Sequence, residues 1–96
     1  MNSLDLRMSA QRALLSNVFS QVRLVKVSAH GNEIHFEAIV DPEAPDEAVD
    51  ALSAAASEIV ADFPDARIQE RIIRSARALP SEDVVHSGWV YARAEK

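Results

Sequence analysis

The chain has 96 residues, of which 48% are hydrophobic and 26% are charged, and its formal net charge is −5 at pH 7. The length predicts one domain over residues 1–96, and the composition predicts a packed core and excludes a disordered chain. No cysteine is present, which excludes disulfides, thiolate metal sites and cysteine nucleophiles. We do not expect a nucleic-acid partner, because phosphates attract basic surfaces and this chain is acidic.

The sequence has no apolar run of the length that a secretion signal or a membrane span requires. We therefore expect a cytoplasmic protein that does not contact membranes. The charge is also segregated, since residues 41–65 hold eight acids and no base, whereas the rest of the chain holds ten bases and seven acids. This pattern predicts either a solvated acidic helix face or a contact between an acidic and a basic surface, within one chain or between chains.

Residues 3–20 predict a first helix. Ser3 is a suitable N-cap, and Asp5 in the first turn complements the helix dipole. Apolar residues recur at helical spacing and form the stripe of an amphipathic helix. These residues are Leu4, Met8, Leu14, Leu15, Val18 and Phe19.

Residues 22–29 and 33–40 predict a β-hairpin, because both are rich in β-branched residues and a short turn with Gly31 and Asn32 joins them. In the second strand one alternating set of residues faces the core: Ile34, Phe36, Ala38 and Val40. His35, Glu37 and Ile39 face the other way. The first strand is partly apolar on both sides, which indicates that neither face of the sheet is wholly exposed.

Residues 46–63 predict a second helix, which begins at Asp46 or at the Pro45 turn and ends before Pro64. Its alanines favour helix and allow a close approach to a sheet. The apolar stripe consists of Val49, Leu52, Ala56, Ile59, Val60 and Phe63.

Residues 66–79 fit either a helix or a strand, and we favour the strand. The "DFPD" break resembles a short connection from helix to strand, and a final strand over 84–95 needs a neighbour, with "LPSED" as the turn between the two. The predicted fold is a two-layer α+β sandwich in αββαββ order. It has an antiparallel four-stranded sheet with both helices on one face.

The final strand carries three larger side chains on one face, Trp89, Tyr91 and Arg93, and small residues on the other. Small residues suit packing beneath an alanine-rich helix, so we place Val90 and Ala92 inward, although the reverse assignment stays open. The larger three would then join Leu24 and Ile39 in an apolar patch on the open sheet face. Such a patch would bind a second copy of the chain or a partner protein.

Catalytic motifs are weak in this sequence. The chain has two glycines, too few for a phosphate-binding loop, and it contains no Gly-x-Ser-x-Gly motif. His35 and Glu37 share a strand face. They could hold a metal ion, or one could act as a general base that the other orients, with His86 as a further member of the group. The simpler interpretation is a surface histidine on a strand, so we predict no cofactor and favour a protein that is not an enzyme.

Two groups of charged residues are candidates for electrostatic contacts. Arg67, Arg71 and Arg74 could bind a phosphate or an acidic partner, and Asp46, Glu47 and Asp50 could bind a basic partner. The favoured function is a non-enzymatic interaction or regulatory module. One alternative is a small enzyme or metal-binding protein that uses His35 and Glu37. The other is an acidic inhibitor of a basic toxin, of the immunity or antitoxin kind.

Overall fold

The computed structural model describes residues 3–15, 18–77 and 89–92, which form two helices and one four-stranded sheet. The helices are α1 (Ser3–Leu14) and α2 (Asp46–Ala61). The strands are β1 (Val22–His30), β2 (Glu33–Val40), β3 (Arg67–Arg74) and β4 (Trp89–Ala92). The predicted α+β class, the hairpin, the second helix and the strand within 66–79 are confirmed. The predicted turn at 79–83 lies outside the described residues.

The strand order is β3-β2-β1-β4, and the sheet is mixed. β1 pairs with β2 and with β4 in antiparallel fashion, whereas β2 and β3 are parallel. The prediction of a fully antiparallel sheet is therefore wrong. The reason is that α2 carries the chain back along the sheet, so β3 starts at the end where β2 started. A parallel pair requires a crossover of this length.

The predicted second hairpin is also wrong, because β4 pairs with β1 and not with β3. β1 offers a free edge beside α1, which packs against both β1 and β4. Val90 and Tyr91 are partly buried against the core from this position. Pairing at this edge therefore lets β4 bury apolar surface beneath α1.

Both helices lie on the same face of the sheet and share one hydrophobic core with it, as predicted. Ile34, Phe36, Ala38 and Val40 of β2 are at most 1% exposed, which confirms the predicted inward set. α2 also buries the side predicted from its spacing, including Leu52, Ala56 and Ile59. The outer face of the sheet is opposite this core.

A bulge in β1 buries an arginine. The register between β1 and β2 shifts between Val22 and Leu24, which leaves Arg23 between them. Its side chain is 4% exposed, and Nη1 donates hydrogen bonds to the backbone carbonyl oxygens of Ser75 at 2.7 Å and Arg77 at 2.8 Å. Arg23 therefore ties the segment that follows β3 to the base of β1.

α1 ends at Leu14, six residues before the predicted end of the first helix. It buries a different face from the one that the apolar stripe indicated. The buried residues are Leu6, Ser9, Ala10, Ala13 and Leu14. Leu4, Met8 and Leu15 are 63%, 58% and 84% exposed. Small side chains on the buried face allow α1 to approach the sheet and α2 closely, and this packing decided the orientation.

Candidate functional site

The outer side of β1, β2 and β3, called here the sheet face, carries mostly polar and charged residues. Alternation and register assign to it Leu24, Lys26, Ser28, His30, Glu33, His35, Glu37, Ile39, Arg67, Gln69, Arg71 and Ile73. Its apolar members are neighbours at one end, where Leu24 pairs with Ile39 and Ile39 with Ile73. The prediction of an apolar open face is therefore wrong over most of these three strands.

The charges of the sheet face are largely paired within the chain. Glu37 lies between two bases, with its carboxylate oxygens 3.5 Å from Lys26 Nζ and 3.7 Å from Arg71 Nη1. His35 Nε2 lies 2.9 Å from Glu33 Oε1, and the His30 and His35 rings meet edge-on with centroids 4.9 Å apart. A surface whose charges already have partners has little electrostatic drive to bind another protein.

Of the predicted interface residues, the three whose side chains are described, Leu24, Ile39 and Tyr91, do not form one exposed patch. Leu24 is 2% exposed and so offers almost no surface to a partner, whereas Ile39 is half-buried. Tyr91 packs against the core, which corrects its predicted place on the open face. The cause is a register shift in β4, which pairs Tyr91 with Val25 and Trp89 with Lys26. The side chain of Trp89, and all of Arg93, lie outside what the structure describes. Homodimerisation stays a prediction.

The weak metal candidates have other contacts. Glu37 is engaged by Lys26 and Arg71, and His35 by Glu33. Within residues 3–15, 18–77 and 89–92, no group of three or more His, Asp or Glu side chains is arranged to hold a metal ion. His86 lies outside those residues.

The outward surface of α1 and α2, called here the helix face, carries the acidic segment. Asp46 at the start of α2 is 96% exposed, and its Oδ1 lies 3.1 Å from Arg74 Nη2, which also donates to the Ala44 carbonyl oxygen at 3.3 Å. Two predicted electrostatic candidates therefore meet each other within one chain. Arg67 and Arg71 point from the opposite side of β3 and belong to the sheet face.

Glu47 and Asp50 are exposed, and neither side chain makes an ion pair or hydrogen bond with another described residue. With Glu58 they follow one outward row of α2, since positions three, four, seven and eight apart share a helix face. The buried side of α2 holds this row in place through Leu52 and Ile59. On the helix face, the Glu47 and Asp50 carboxylates are thus held in place with their charge available to a partner.

The contact between the two helices contains a polar cluster that the sequence did not reveal. Ser9 Oγ donates a 2.6 Å hydrogen bond to Asp62 Oδ2, and Arg12 Nη2 lies 3.1 Å from the same oxygen. The hydrogen bond from Ser9, followed by the positive charge and hydrogen bond of Arg12, lowers the pKa of Asp62 from its ordinary value, although desolvation opposes the shift. These residues are far apart in sequence, so only the packing of the helices brings them together.

The Ser9, Arg12 and Asp62 cluster lines two adjoining parts of a shallow groove between the helices. One part, of about 420 Å³, is also bordered by Asp5, Met8 and Phe63. The other, of about 230 Å³, is bordered by Ala13 and Glu58. The groove therefore joins the outer side of α1 to the acidic row of α2.

Neither of the described helices combines the length and the hydropathy that a membrane crossing needs. Among curated proteins, none matches this chain closely enough to count as a relative. A family model described as MafI2 immunity protein matches residues 3–95. Because that match spans both helices and all four strands, the chain belongs to the MafI2 immunity protein family.

Proposed function

We propose that this chain is an immunity protein that binds a toxin protein and blocks its action. The observation that carries the proposal is the family match along residues 3–95. The acidic-inhibitor alternative drawn from the charge pattern agrees with it. The favoured interpretation from sequence, a non-enzymatic interaction module, is compatible with this function but less specific.

The acidic row of α2 supports a basic partner surface. Glu47 and Asp50 are exposed and have no side-chain partner among the described residues, and the whole chain carries a net charge of −5. Complementary charge accelerates the encounter of two proteins and selects the correct partner. A toxin surface rich in Arg and Lys is therefore the expected counterpart.

The rigidity of α2 also suits an inhibitor. Five residues on its inner side, Ala48, Leu52, Ala55, Ala56 and Ile59, belong to the hydrophobic core. The outward carboxylates therefore stand on a helix that does not have to become ordered when a partner binds. Such preorganisation reduces the entropy cost of association and favours a tight complex.

A growth assay tests the proposal. The probes are the products of the two genes that flank the gene of this chain, because an immunity gene must be inherited with its toxin gene to protect the cell. Each product is expressed alone and together with this chain. We expect one product to stop growth and co-expression to restore it. If neither flanking product is toxic, or if arrest persists while the folded chain is present, the proposal is wrong.

A charge test then asks whether the acidic row makes the contact. The variant Glu47→Lys with Asp50→Lys is compared with Asp65→Lys with Glu70→Lys, which changes the net charge equally at exposed positions outside α2. We expect the α2 variant to weaken binding of the purified toxin by about 100-fold, because attraction becomes repulsion. The control variant should lose much less. Equal losses would show that net charge, and not this row, governs the complex.

A further inference from the structure

We propose that the outer edge of β3 pairs with the same edge of a second copy of this chain, so that the protein forms a symmetric dimer. The two β3 strands run antiparallel about a two-fold axis that passes between the two Ile72 residues, and the two sheets join into one. The inference goes beyond the proposed function and does not depend on it, because its tests need only this chain.

The outer edge of β3 is open among the described residues. β3 is the first strand in the order β3-β2-β1-β4, so only one of its edges is paired. The chain that follows β3 turns toward the other strands: the Ser75 amide donates to the Val40 carbonyl oxygen at 2.9 Å. Arg23 of β1 then binds the carbonyl oxygens of Ser75 and Arg77. This segment therefore leads away from the outer edge.

The hydrogen bonds of β3 show which of its backbone groups face that edge. The Arg67 amide donates to the Asn32 carbonyl oxygen at 2.9 Å, at the start of β2. The Ser75 amide does the same to Val40 at the other end. Because N–H and C=O groups point to alternate edges in successive residues, the odd-numbered residues of β3 face β2. The even-numbered residues face outward, namely Ile68, Glu70, Ile72 and Arg74.

This edge lacks most of the features that keep open strands from pairing. Proteins protect such edges with short strands, bulges, prolines or charges. β3 has eight residues, contains no proline and pairs with β2 without a register shift. By contrast, β4 at the opposite edge has four residues, and its register with β1 is shifted. The remaining protection of β3 is charge, and the arrangement of those charges decides which partner can pair.

The charges of β3 favour one register with a second copy. Facing residues of an antiparallel pair lie on the same side of the sheet, and outward-facing ones exchange two backbone hydrogen bonds. When Ile72 faces Ile72, Glu70 faces Arg74 on both sides of the axis. Facing residues of opposite charge stabilise a sheet, and like charges destabilise it. The neighbouring registers would place Glu70 opposite Glu70, or Arg71 opposite Arg71.

Both charged side chains of this pair are available. Glu70 is exposed and makes no ion pair or hydrogen bond with another described residue. Arg74 uses Nη2 to bind Asp46 and the Ala44 carbonyl oxygen, but a guanidinium has five N–H donors, so others remain for a carboxylate. Ile72 between them is only partly buried against the core. Pairing would therefore cover the apolar part of this margin as well.

The same charges favour a second copy over the toxin as the occupant. Glu70 and Arg74 of one chain are about 13 Å apart along the strand, too far to pair with each other. Their spacing gives ion pairs only across an antiparallel copy. A basic toxin surface would meet Arg67 and Arg71 in addition to Arg74, and these like charges would oppose it.

The first test measures dimerisation of the purified chain by analytical ultracentrifugation. We expect a reversible wild-type dimer. Glu70→Arg and Arg74→Glu each place like charges opposite one another, so each variant alone should raise the dimer Kd at least about 100-fold. An equal mixture of the two restores both opposite pairs. The mixture should form a heterodimer whose Kd is within about tenfold of the wild-type value.

The matched control is Asp50→Arg, which changes the net charge as Glu70→Arg does but at an exposed position on α2. It should change the dimer Kd less than about threefold. Circular dichroism checks that each variant is folded. If Glu70→Arg and Asp50→Arg weaken the dimer equally, or if the mixture of the two edge variants stays monomeric, the assigned register is wrong and the inference is overturned.

The second test uses the wild-type chain and so does not depend on the folding of variants. Amide hydrogen exchange is measured by NMR at protein concentrations above and below the dimer Kd. We expect the outward amides of Glu70 and Ile72 to exchange at least about tenfold more slowly in the dimer. The amides of Gln69 and Arg71 face β2 and should be protected at both concentrations.

Three further outcomes would overturn the inference. The first is a wild-type chain that stays monomeric at roughly 1 mM. The second is a dimer in which the outward amides of β3 exchange as fast as in the monomer, because that dimer uses another surface. The third is protection of these amides only after toxin is added, because the edge would then bind a strand of the toxin. None of these outcomes decides the growth assay, so the proposed function is tested separately.

Discussion

The sheet face and the helix face of this molecule differ in whether their charged side chains are paired within the chain. On the sheet face, Glu37 lies between Lys26 and Arg71, and Glu33 meets His35. On the helix face, Glu47 and Asp50 are exposed without side-chain partners among the described residues. The charges of the sheet face are largely paired within the chain, whereas the helix face, as far as the structure describes it, has the unpaired carboxylates of Glu47 and Asp50 and exposed apolar side chains.

This difference shows that apolar residues on both sides of a strand do not by themselves indicate a docking face. Leu24 and Ile39 lie together at one end of the sheet face, and Leu24 is buried. The most exposed large apolar side chains lie on α1, at Leu4 and Met8, and just after it, at Leu15. Substitutions on the sheet side should therefore change stability, and substitutions on the helix face should change binding.

The largest expected effect on stability is at Arg23. Replacing it by methionine keeps much of the apolar stem but removes both hydrogen bonds to the carbonyl oxygens of Ser75 and Arg77. Because the donor is charged and its surroundings are buried, we expect the free energy of unfolding to fall by about 3 kcal/mol. Urea denaturation measures this change. Arg67→Met, at an exposed position, is the control, and a loss at Arg23 below about 1 kcal/mol would contradict the assignment.

Salt should slow the association of this chain with the toxin. The Glu47 and Asp50 carboxylates of α2 attract a basic partner at long range, and this attraction is screened when the Debye length shortens. We expect the association rate with the toxin to fall at least about tenfold between roughly 0.05 M and 0.5 M salt, whereas dissociation changes much less. Stopped-flow mixing measures both rates. An association rate that does not depend on salt would show that the acidic row does not guide the encounter.

Glu37→Gln should have a smaller effect, and on stability alone. The substitution removes the charge that Lys26 and Arg71 share, at a position that is 33% exposed. Surface ion pairs contribute little individually, so we expect a loss of about 0.5–1 kcal/mol in the free energy of unfolding and no change in toxin affinity. Asp50→Asn on the helix face should show the reverse pattern, with stability within about 0.5 kcal/mol of wild type. If both variants changed the free energy of unfolding and the toxin affinity in the same way, the described difference between the two faces would be wrong.

The smallest effect concerns the pH dependence of stability. The pKa of Asp62 is lower in the folded chain than in the unfolded one. Its contribution is therefore fully present above the unfolded pKa of about 3.9 and is lost as the pH falls through the lower folded pKa. Removing the Ser9 hydroxyl by Ser9→Ala should raise the folded pKa of Asp62 toward its ordinary value and make the acid loss of stability shallower.

Carboxyl chemical shifts recorded from pH 6 to pH 2 measure the Asp62 pKa directly, and thermal unfolding over the same range measures the stability. Ser28→Ala on the sheet face is the matched control, since Ser28 is exposed. If Ser9→Ala leaves the pKa of Asp62 unchanged, the hydrogen bond between these two side chains does not cause the shift.

Local patterns were sufficient to predict several elements. Gly31 adopts φ of +62°, the left-handed conformation that the short turn between β1 and β2 requires, and this made the hairpin recognisable. The strict alternation of β2 predicted its buried side, from Ile34 to Val40. The spacing of Leu52, Ala56 and Ile59 predicted the inner side of α2. In each case the sequence pattern lies within a few residues of the turn, strand side or helix side that it predicts.

The remaining features depend on tertiary packing and could not be predicted from the sequence. The bulge at Arg23 and the register shift that turns Tyr91 toward the core are decided between strands. On α1, the larger side chains form the more obvious stripe, but the smaller ones are buried because they allow close packing. The sequence therefore identified Glu47 and Asp50 as charged candidates, and their role in binding stays a prediction, whereas it assigned the exposed Leu4 and Met8 of α1 to the core.

The pairing of β1 with β4 has a consequence for how the protein is made. Leu24 pairs with Ala92, which lies far from it in sequence, whereas the β1–β2 hairpin joins neighbours in sequence. Contacts between distant segments form late, because a long loop must close first. On the ribosome the hairpin can form as soon as it emerges, but the β1 edge stays uncovered until β4 has been made. A prematurely terminated chain would expose that edge to aggregation.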